Sequence, residues 1–169
     1  KQVYSELSNA MKLMMANEDV NKLSDSNTLT YDGESDWDEF VQGLGDKFFK
    51  KYFKVIKDCG NEYPSTCFAD DYKSIDGNNS STNPYSCYYS VIIANGASIC
   101  VNAASTTYPG QFIVDINGPK KPNIIGRDFF TLSYYYDGSI DESITPECKK
   151  GILSSHGLLC SGVGSNPEE

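Results

Sequence analysis

The stretch YSCYYSVIIANGASICVNA, residues 85–103, decides the fold. Two runs rich in β-branched and aromatic residues are separated there by Asn95-Gly96, which is the strongest short-range signal for a β-hairpin. Further along the chain, the segments GQFIVDI and DFFTLSYYYDGSI have the same strand-forming composition. We therefore predict an antiparallel sheet of about four strands over residues 85–140.

The chain opens with a segment of helical periodicity, KQVYSELSNAMKLMMANE. Its apolar residues recur at helical spacing and form one stripe, which consists of Val3, Leu7, Ala10, Met11 and Met14. This pattern predicts an amphipathic helix over residues 1–17. Because no capping residue precedes Val3, we expect this helix to be the outer part of a longer one.

A second helix is predicted near residues 36–57. Asp36 with Glu39 three residues later forms a capping box. Lysines occupy the later turns, where they complement the helix dipole: Lys47, Lys50, Lys51, Lys54 and Lys57. This lysine stripe fits a solvated face, a surface that meets acidic neighbours in an assembly or, least well because the rest of the molecule is acidic, a nucleic-acid patch. Gly43 and Gly45 weaken the middle of the helix and favour a bend.

Together these elements predict an α+β fold in a single domain over residues 1–169, with the N-terminal long helix packed on the antiparallel sheet. The expected divisions are the helix at 1–17, a connector at 18–84 that contains the second helix, the sheet at 85–140, and a disulfide-closed irregular C-terminal region at 141–169.

Charge and cysteine content restrict the possible partners. The formal net charge of −9 makes bare nucleic acid or an anionic membrane surface a poor partner. Six cysteines without a C-x-x-C pair, and a single histidine, favour three disulfides over a zinc site. Disulfides in turn imply an exported protein.

The disulfide pairs are predicted from spacing. In a hairpin with a two-residue turn, Cys100 faces Val91, and Cys87 lies about 14 Å further along at ~3.4 Å per residue. Bridged Cα atoms are rarely more than about 7 Å apart, so Cys87–Cys100 is disfavoured. The two cysteines of the irregular tail are close together and are expected to bridge. This tail bridge is Cys148–Cys160. Cys87 and Cys100 are expected to reach back to Cys59 and Cys67, and of the two orders that this allows we choose the nested one, Cys59–Cys100 with Cys67–Cys87.

Catalysis is not expected. His156 is the only histidine that could activate a serine or cysteine nucleophile, and its setting in SSHGLLC favours a surface residue in a disulfide loop. No pair among the 23 acidic residues is singled out for glycoside hydrolysis. No glycine-rich loop precedes a helix in the way that phosphate binding requires. We predict neither an enzyme nor a cofactor site.

The segment VDINGPKKPNIIGRDFF, residues 114–130, allows a calcium loop as an alternative to a turn. Counted as an EF-hand from Asp115, it places Lys120 where glycine is required, and its two lysines would repel a cation. The favoured interpretation is a turn, in which Asp115 and Asn117 bond local backbone and Gly118 adopts a positive φ. No metal site is predicted.

Three segments in order resemble a subfamily of bacterial type IV pilins and pilin-like proteins: VYSELSNAMKLMMANE, YSVIIANGASICV and FIVDINGPKKPNIIGRDFFTLSYYYDGSI. The run NGPKKPNIIGRD is the most specific part. Asn95 replaces an aspartate of the family pattern, and Lys121 replaces a glycine. The resemblance is weakest between Ser24 and Ala69.

The resemblance implies that residues 1–17 form the outer half of the long pilin helix. The inner half would carry the prepilin peptidase site and lie in the membrane before assembly. The globular part would coat a filament, with Cys148 and Cys160 closing a C-terminal loop. The expected location is therefore an extracellular, cell-surface filament, and the expected partners are other pilin subunits.

Two functions remain open at this point. One is a structural subunit, a major or minor pilin or a pseudopilin, that assembles through Val3, Leu7, Met11 and Met14. In that case we expect these side chains to be only partly covered in the isolated domain. The other is a surface-exposed binding module, such as a tip adhesin, whose tyrosine- and asparagine-rich loops recognise a glycan or a host protein.

Overall fold

The fold is that of a computed structural model, which describes residues 1–62, 65–80, 87–105 and 110–142. The expected disulfide Cys148–Cys160, His156 and the rest of the C-terminal region from residue 143 onward lie outside these residues. The described part combines an N-terminal helix, a second helix and an antiparallel sheet, as predicted.

The main sheet is larger than predicted. The strands formed by the described residues are β1 (Thr30–Tyr31), β2 (Val55–Gly60), β3 (Tyr72–Lys73), β4 (Asn79–Ser80), β5 (Tyr89–Ile93), β6 (Ser98–Asn102), β7 (Ala104–Ser105), β8 (Gly110–Asp115), β9 (Phe129–Tyr134) and β10 (Ile140–Glu142). Six of them form one antiparallel sheet in the order β10-β9-β8-β6-β5-β2. In two smaller pairs, β1 is parallel to β7 and β3 is antiparallel to β4. The strands β2 and β10 extend the predicted sheet at its two edges.

Helix α1 spans Gln2–Glu18 and confirms the predicted first helix. It ends where Asp19 adopts a left-handed conformation with φ 55. Asp19 N–H donates to the carbonyl of Ala16, and Val20 N–H donates to the carbonyl of Met15. These two bonds satisfy carbonyl groups that the end of a helix otherwise leaves unpaired.

The second helix is one continuous helical segment with a change of winding in its middle. It consists of α2 (Trp37–Gly43), a π-helical stretch (Leu44–Phe49) and α3 (Lys50–Tyr52). The predicted cap is confirmed, because the Asp36 carboxylate accepts a hydrogen bond from Glu39 N–H at 2.9 Å. The π-helical stretch begins beside Gly43 and contains Gly45, where the sequence predicts a weak point.

The predicted C-terminal boundary of this helix, near residue 57, is wrong. Phe53 is extended, with φ −126 and ψ 152, and the chain then continues into β2. Lys57 therefore pairs with Ile92 of β5 at the edge of the sheet. The lysine-rich segment is compatible with a helix locally, but pairing with a distant strand overrides that preference.

Gly45 allows the second helix to approach the sheet closely. A Cβ at this position would lie 2.2 Å from the ring of Tyr89 on β5. The same ring stacks against Phe49, with centroids 6.1 Å apart. Only glycine therefore permits this helix–sheet distance.

Apolar residues cover both faces of the main sheet. On one face, both helices and the strands form a large buried cluster that includes Leu7, Met11, Phe48, Phe112 and Tyr134. On the other face, the connector packs over β6, β8 and β9 in a smaller cluster that includes Cys67, Phe68, Tyr72, Cys100, Ile113 and Phe129. The second cluster brings residues 67–72 close to the loop that follows β8.

The β5–β6 hairpin is confirmed, but its register differs by one residue from the prediction. Ser90 faces Cys100, and Ile93 N–H donates to the carbonyl of Ala97, so the turn contains three residues rather than two. The chain bends at Tyr88, before β5 begins. This bend directs Cys87 back towards Cys100 instead of extending it further along the strand.

Both predicted disulfides within the described residues are therefore wrong. The structure pairs Cys87 with Cys100, whose Cα atoms are 5.7 Å apart. It pairs Cys59 with Cys67, whose Cα atoms are 6.0 Å apart. The predicted pairs Cys59–Cys100 and Cys67–Cys87 assumed a straight strand from Cys87 onward, and the bend at Tyr88 removes that assumption.

Candidate functional site

The helix stripe that was predicted to drive assembly lies inside the domain. Val3, Leu7, Met11 and Met14 are all buried in the large cluster. The expectation that these side chains would be only partly covered is wrong, because the sheet and the second helix enclose them. The stripe therefore stabilises the fold and is not an open surface.

A different face of α1 is open. Leu13 is 57% exposed there. A groove of about 360 Å³ runs beside this face and is lined by Leu13, Tyr52 and Ile93 among others. Tyr4 lies on the opposite flank of α1, where it is 45% exposed and its hydroxyl donates to the carbonyl of Ile140 at 2.8 Å. We call Leu13 with the adjoining groove, which Gln2, Glu6 and Asn9 also line, the outer helix face.

One member of the lysine stripe belongs to a network within the domain. Lys50 Nζ lies 2.8 Å from Asp46 and 3.0 Å from Asp58. These two carboxylates raise the pKa of Lys50 above its usual range. The Tyr89 hydroxyl also donates to Asp58 at 3.0 Å. Burial opposes ionisation of Asp58, but the contacts with Lys50 and Tyr89 outweigh it and lower the pKa of Asp58.

The loop after β8 contains the predicted turn. Asp115 Oδ1 accepts a hydrogen bond from Asn117 N–H at 3.1 Å, and the Asp115 carbonyl accepts one from Gly118 N–H at 3.3 Å. Gly118 has φ +65, and a Cβ there would lie 2.7 Å from the carbonyl oxygen of Gly96. The turn therefore packs directly on the β5–β6 hairpin and requires glycine at this position.

Asp115 has a second partner, which no sequence pattern indicated. The Tyr72 hydroxyl donates to Asp115 Oδ2 at 2.7 Å, across 43 positions of sequence, and both residues are buried. Burial is the main cause that raises the pKa of Asp115, and the charge of Asp128 acts in the same direction. Burial and the bond to Asp115 also raise the pKa of Tyr72 above its usual range.

A wider groove opens beside this loop. It has a volume of about 620 Å³ and lies between residues 68–73 of the connector and residues 119–124 of the loop. Phe68 and Ile124 contribute apolar walls, and Lys73 contributes a positive charge. The groove therefore combines apolar and charged surface next to the buried Tyr72–Asp115 pair.

An aromatic patch lies at the start of the second helix. Trp37 is 39% exposed, and its ring contacts Tyr31 and Tyr88 edge to face, with centroids 4.9 and 4.8 Å apart. A cleft of about 190 Å³ beside it is lined by several polar side chains, including Asp32. Hydrogen bonds from Ser35 lower the pKa of Asp32 to about 2, so this carboxylate is charged at neutral pH.

Comparison with known proteins finds no relative: no family model, no curated protein and no solved structure matches the chain. Within the described residues, no helix combines the length and the apolar character needed to cross a bilayer. In the same part of the chain, no three His, Cys, Asp or Glu side chains are grouped so that they could hold a metal ion.

Proposed function

We propose that the protein is a structural subunit, a major or minor pilin, of a bacterial type IV pilus or a related secretion filament. The resemblance of three ordered segments to pilins supports this function. So does the arrangement of an N-terminal helix on an antiparallel sheet. The observation that carries the proposal is that Leu13 stands exposed beside a groove on the outer helix face, although the apolar stripe of α1 is already buried in the domain.

The outer helix face supplies a modest energy for each contact between subunits. Burying a whole leucine side chain is worth roughly 1.5–3 kcal/mol, so covering the exposed half of Leu13 is worth about 1 kcal/mol. A filament repeats this contact at every subunit, and complementary charges then orient the neighbours more than they strengthen binding. The partners are other pilin subunits, and the setting is extracellular, to which the two disulfides also point.

The test compares two equally exposed apolar residues. Leu13 on α1 and Ile56 on β2 are 57% and 60% exposed, so glutamate at either position leaves the core intact. Each variant is expressed in the producing bacterium, filaments are sheared from the cells, and the subunit is quantified by immunoblot. Leu13→Glu is expected to lower incorporation about tenfold or more, which corresponds to ~1.4 kcal/mol. Ile56→Glu is expected to incorporate normally.

Both purified variants should melt like the wild type, so that a loss of incorporation cannot be attributed to unfolding. Normal incorporation of Leu13→Glu, or an equal loss in both variants, would show that the outer helix face is not an assembly surface.

The aromatic patch favours a second candidate function, a binding module that recognises a glycan, as a tip adhesin does. An exposed indole beside charged carboxylates offers an apolar ring for the sugar C–H groups and acceptors for its hydroxyls. Trp37 is the only tryptophan of the chain, so its fluorescence reports directly on this patch. This candidate would be supported if a glycan quenches the Trp37 fluorescence saturably and if Asp32→Ala abolishes the quenching. Unchanged fluorescence across a panel of glycans would exclude the patch as a sugar site.

A further inference from the structure

The loop that follows β8 encloses two carboxylates. Asp115 has no exposed surface, and Asp128 is only 7% exposed. Their backbones are adjacent, because Asp115 pairs with Phe129 and Ile116 N–H donates to the Asp128 carbonyl at 2.8 Å. Two carboxylates buried this close to each other are unfavourable unless a cation or a proton accompanies them.

The hydrogen-bond donors of the loop serve only one of these carboxylates. The Tyr72 hydroxyl and the Asn117 N–H both donate to Asp115. The nearest cation to Asp128 is the exposed Arg127, whose Nε lies 3.8 Å from Oδ1, which is too far for a hydrogen bond. Asp128 Oδ2 is buried and has no hydrogen-bond partner. Oδ2 of Asp128 is thus left without a hydrogen-bond donor inside the loop, which is costly.

Two asparagine side chains of the same loop add further oxygen atoms. Oδ1 of Asn117 and Oδ1 of Asn123 are both buried without a hydrogen-bond partner. The orientation of the Asn117 amide is determined, because its Nδ2 donates to the carbonyls of Lys120 and Pro122 at 2.8 and 3.0 Å. Its oxygen therefore cannot be exchanged with the nitrogen to satisfy the site.

Backbone hydrogen bonds bring these three side chains into one part of the loop. Asn117 directly follows Ile116, whose N–H bonds to residue 128. Asn123 directly precedes Ile124, whose carbonyl accepts the N–H of Asp128 at 2.8 Å. The loop therefore presents acceptor oxygens from both of its ends, and each of them lacks a donor.

We propose that the loop 115–128 binds a divalent cation of the calcium type. Its ligands are the carboxylate of Asp128 and the side-chain oxygens of Asn117 and Asn123, with the charge of Asp115 beside them. Calcium accepts six to eight oxygen ligands in flexible geometry, including carboxylate, amide and water oxygens. Magnesium demands a more regular octahedron, and zinc prefers nitrogen and sulfur. The proposal does not depend on the filament function.

EF-hand spacing and two lysines disfavour calcium in the sequence of this loop, but the fold changes both conditions. The proposed ligands come from the two ends of a β8–β9 connection, so EF-hand spacing does not apply. Lys120 and Lys121 are exposed, and their charges are screened by solvent and salt.

Isothermal titration calorimetry with calcium chloride on chelator-treated protein tests the proposal. Asp128→Asn removes one charge from the site with little change in shape. Asp76→Asn makes the same substitution in the exposed turn of Ser74 and Asn78, and is the matched control. We expect saturable binding of one calcium ion, weakened at least about tenfold, or ~1.4 kcal/mol, by Asp128→Asn. Asp76→Asn should leave the affinity unchanged.

A second measurement uses the unsubstituted protein, so that the test does not depend on the folding of a variant. Terbium in the loop should emit on excitation of tyrosine, because Tyr72 is bonded to Asp115, and excess calcium should abolish this emission. If millimolar calcium gives no saturable heat of binding and terbium gives no emission, water or a proton satisfies the buried oxygens of the loop. That result, or calcium binding that Asp128→Asn leaves unchanged, would overturn the proposal.

Discussion

Leu7 and Leu13 lie on the same helix, but the structure predicts very different costs for replacing each by alanine. Leu7 has no exposed surface and belongs to the large buried cluster, whereas Leu13 is 57% exposed. Both are interior positions of α1, so the change in helix propensity from leucine to alanine is the same at each. The difference between the two variants therefore measures tertiary packing alone.

The magnitudes follow from burial. Replacing a fully buried leucine by alanine costs the transfer of the lost atoms and leaves a cavity, which together amount to about 3–4 kcal/mol for Leu7. Less than half of Leu13 is covered, so Leu13→Ala should cost no more than about 1 kcal/mol. Domains of this kind are stable by only about 5–15 kcal/mol.

Urea denaturation followed by the fluorescence of Trp37 measures both variants. We expect the midpoint of Leu7→Ala to fall well below that of Leu13→Ala, with the slope of the transition unchanged. Equal midpoints, or a larger loss at Leu13, would refute the orientation of α1 described above. The domain would then place a different side of the helix against the sheet.

Two further predictions concern close packing and pH. Gly45→Ala should destabilise the domain by about 1–3 kcal/mol, because the added Cβ meets the Tyr89 ring. Gly43→Ala should be neutral or stabilising, because its Cβ would meet only the side-chain tail of Lys47, at 3.7 Å. Equal shifts of the melting temperature in the two variants would contradict the close contact at Gly45. The pKa of Asp115 is raised above its ordinary 3.8 in the folded protein. The stability that protonated Asp115 contributes is therefore fully present below pH 3.8, and it is lost as pH rises through the folded pKa. In chelator, the wild type should therefore lose stability relative to Asp115→Asn as pH rises above 3.8, and the opposite trend in urea midpoints would show that the carboxylate is not destabilised by burial.

Elements whose cause is local were predictable from the sequence. The Asp36 cap needs only Glu39 three residues later, and the α1 stripe needs only helical spacing. The turn at Asp115 and Gly118 likewise depends on neighbouring residues, and the hairpin around Asn95 was found although its register was off by one. In each case the interacting groups are within a few positions of each other, so the chain itself brings them together.

Other features depend on contacts between distant parts of the chain. Periodicity showed that Leu7 belongs to an apolar stripe, but only packing determined that this side is fully enclosed and that Leu13 remains open. The Tyr72–Asp115 bond joins residues that no local pattern connects, and it exists because the connector crosses the far face of the sheet. Local residue types determined which helices, strands and turns form in this protein. Contacts between distant segments decided which surfaces are covered, because the burial of a side chain depends on which part of the chain packs against it.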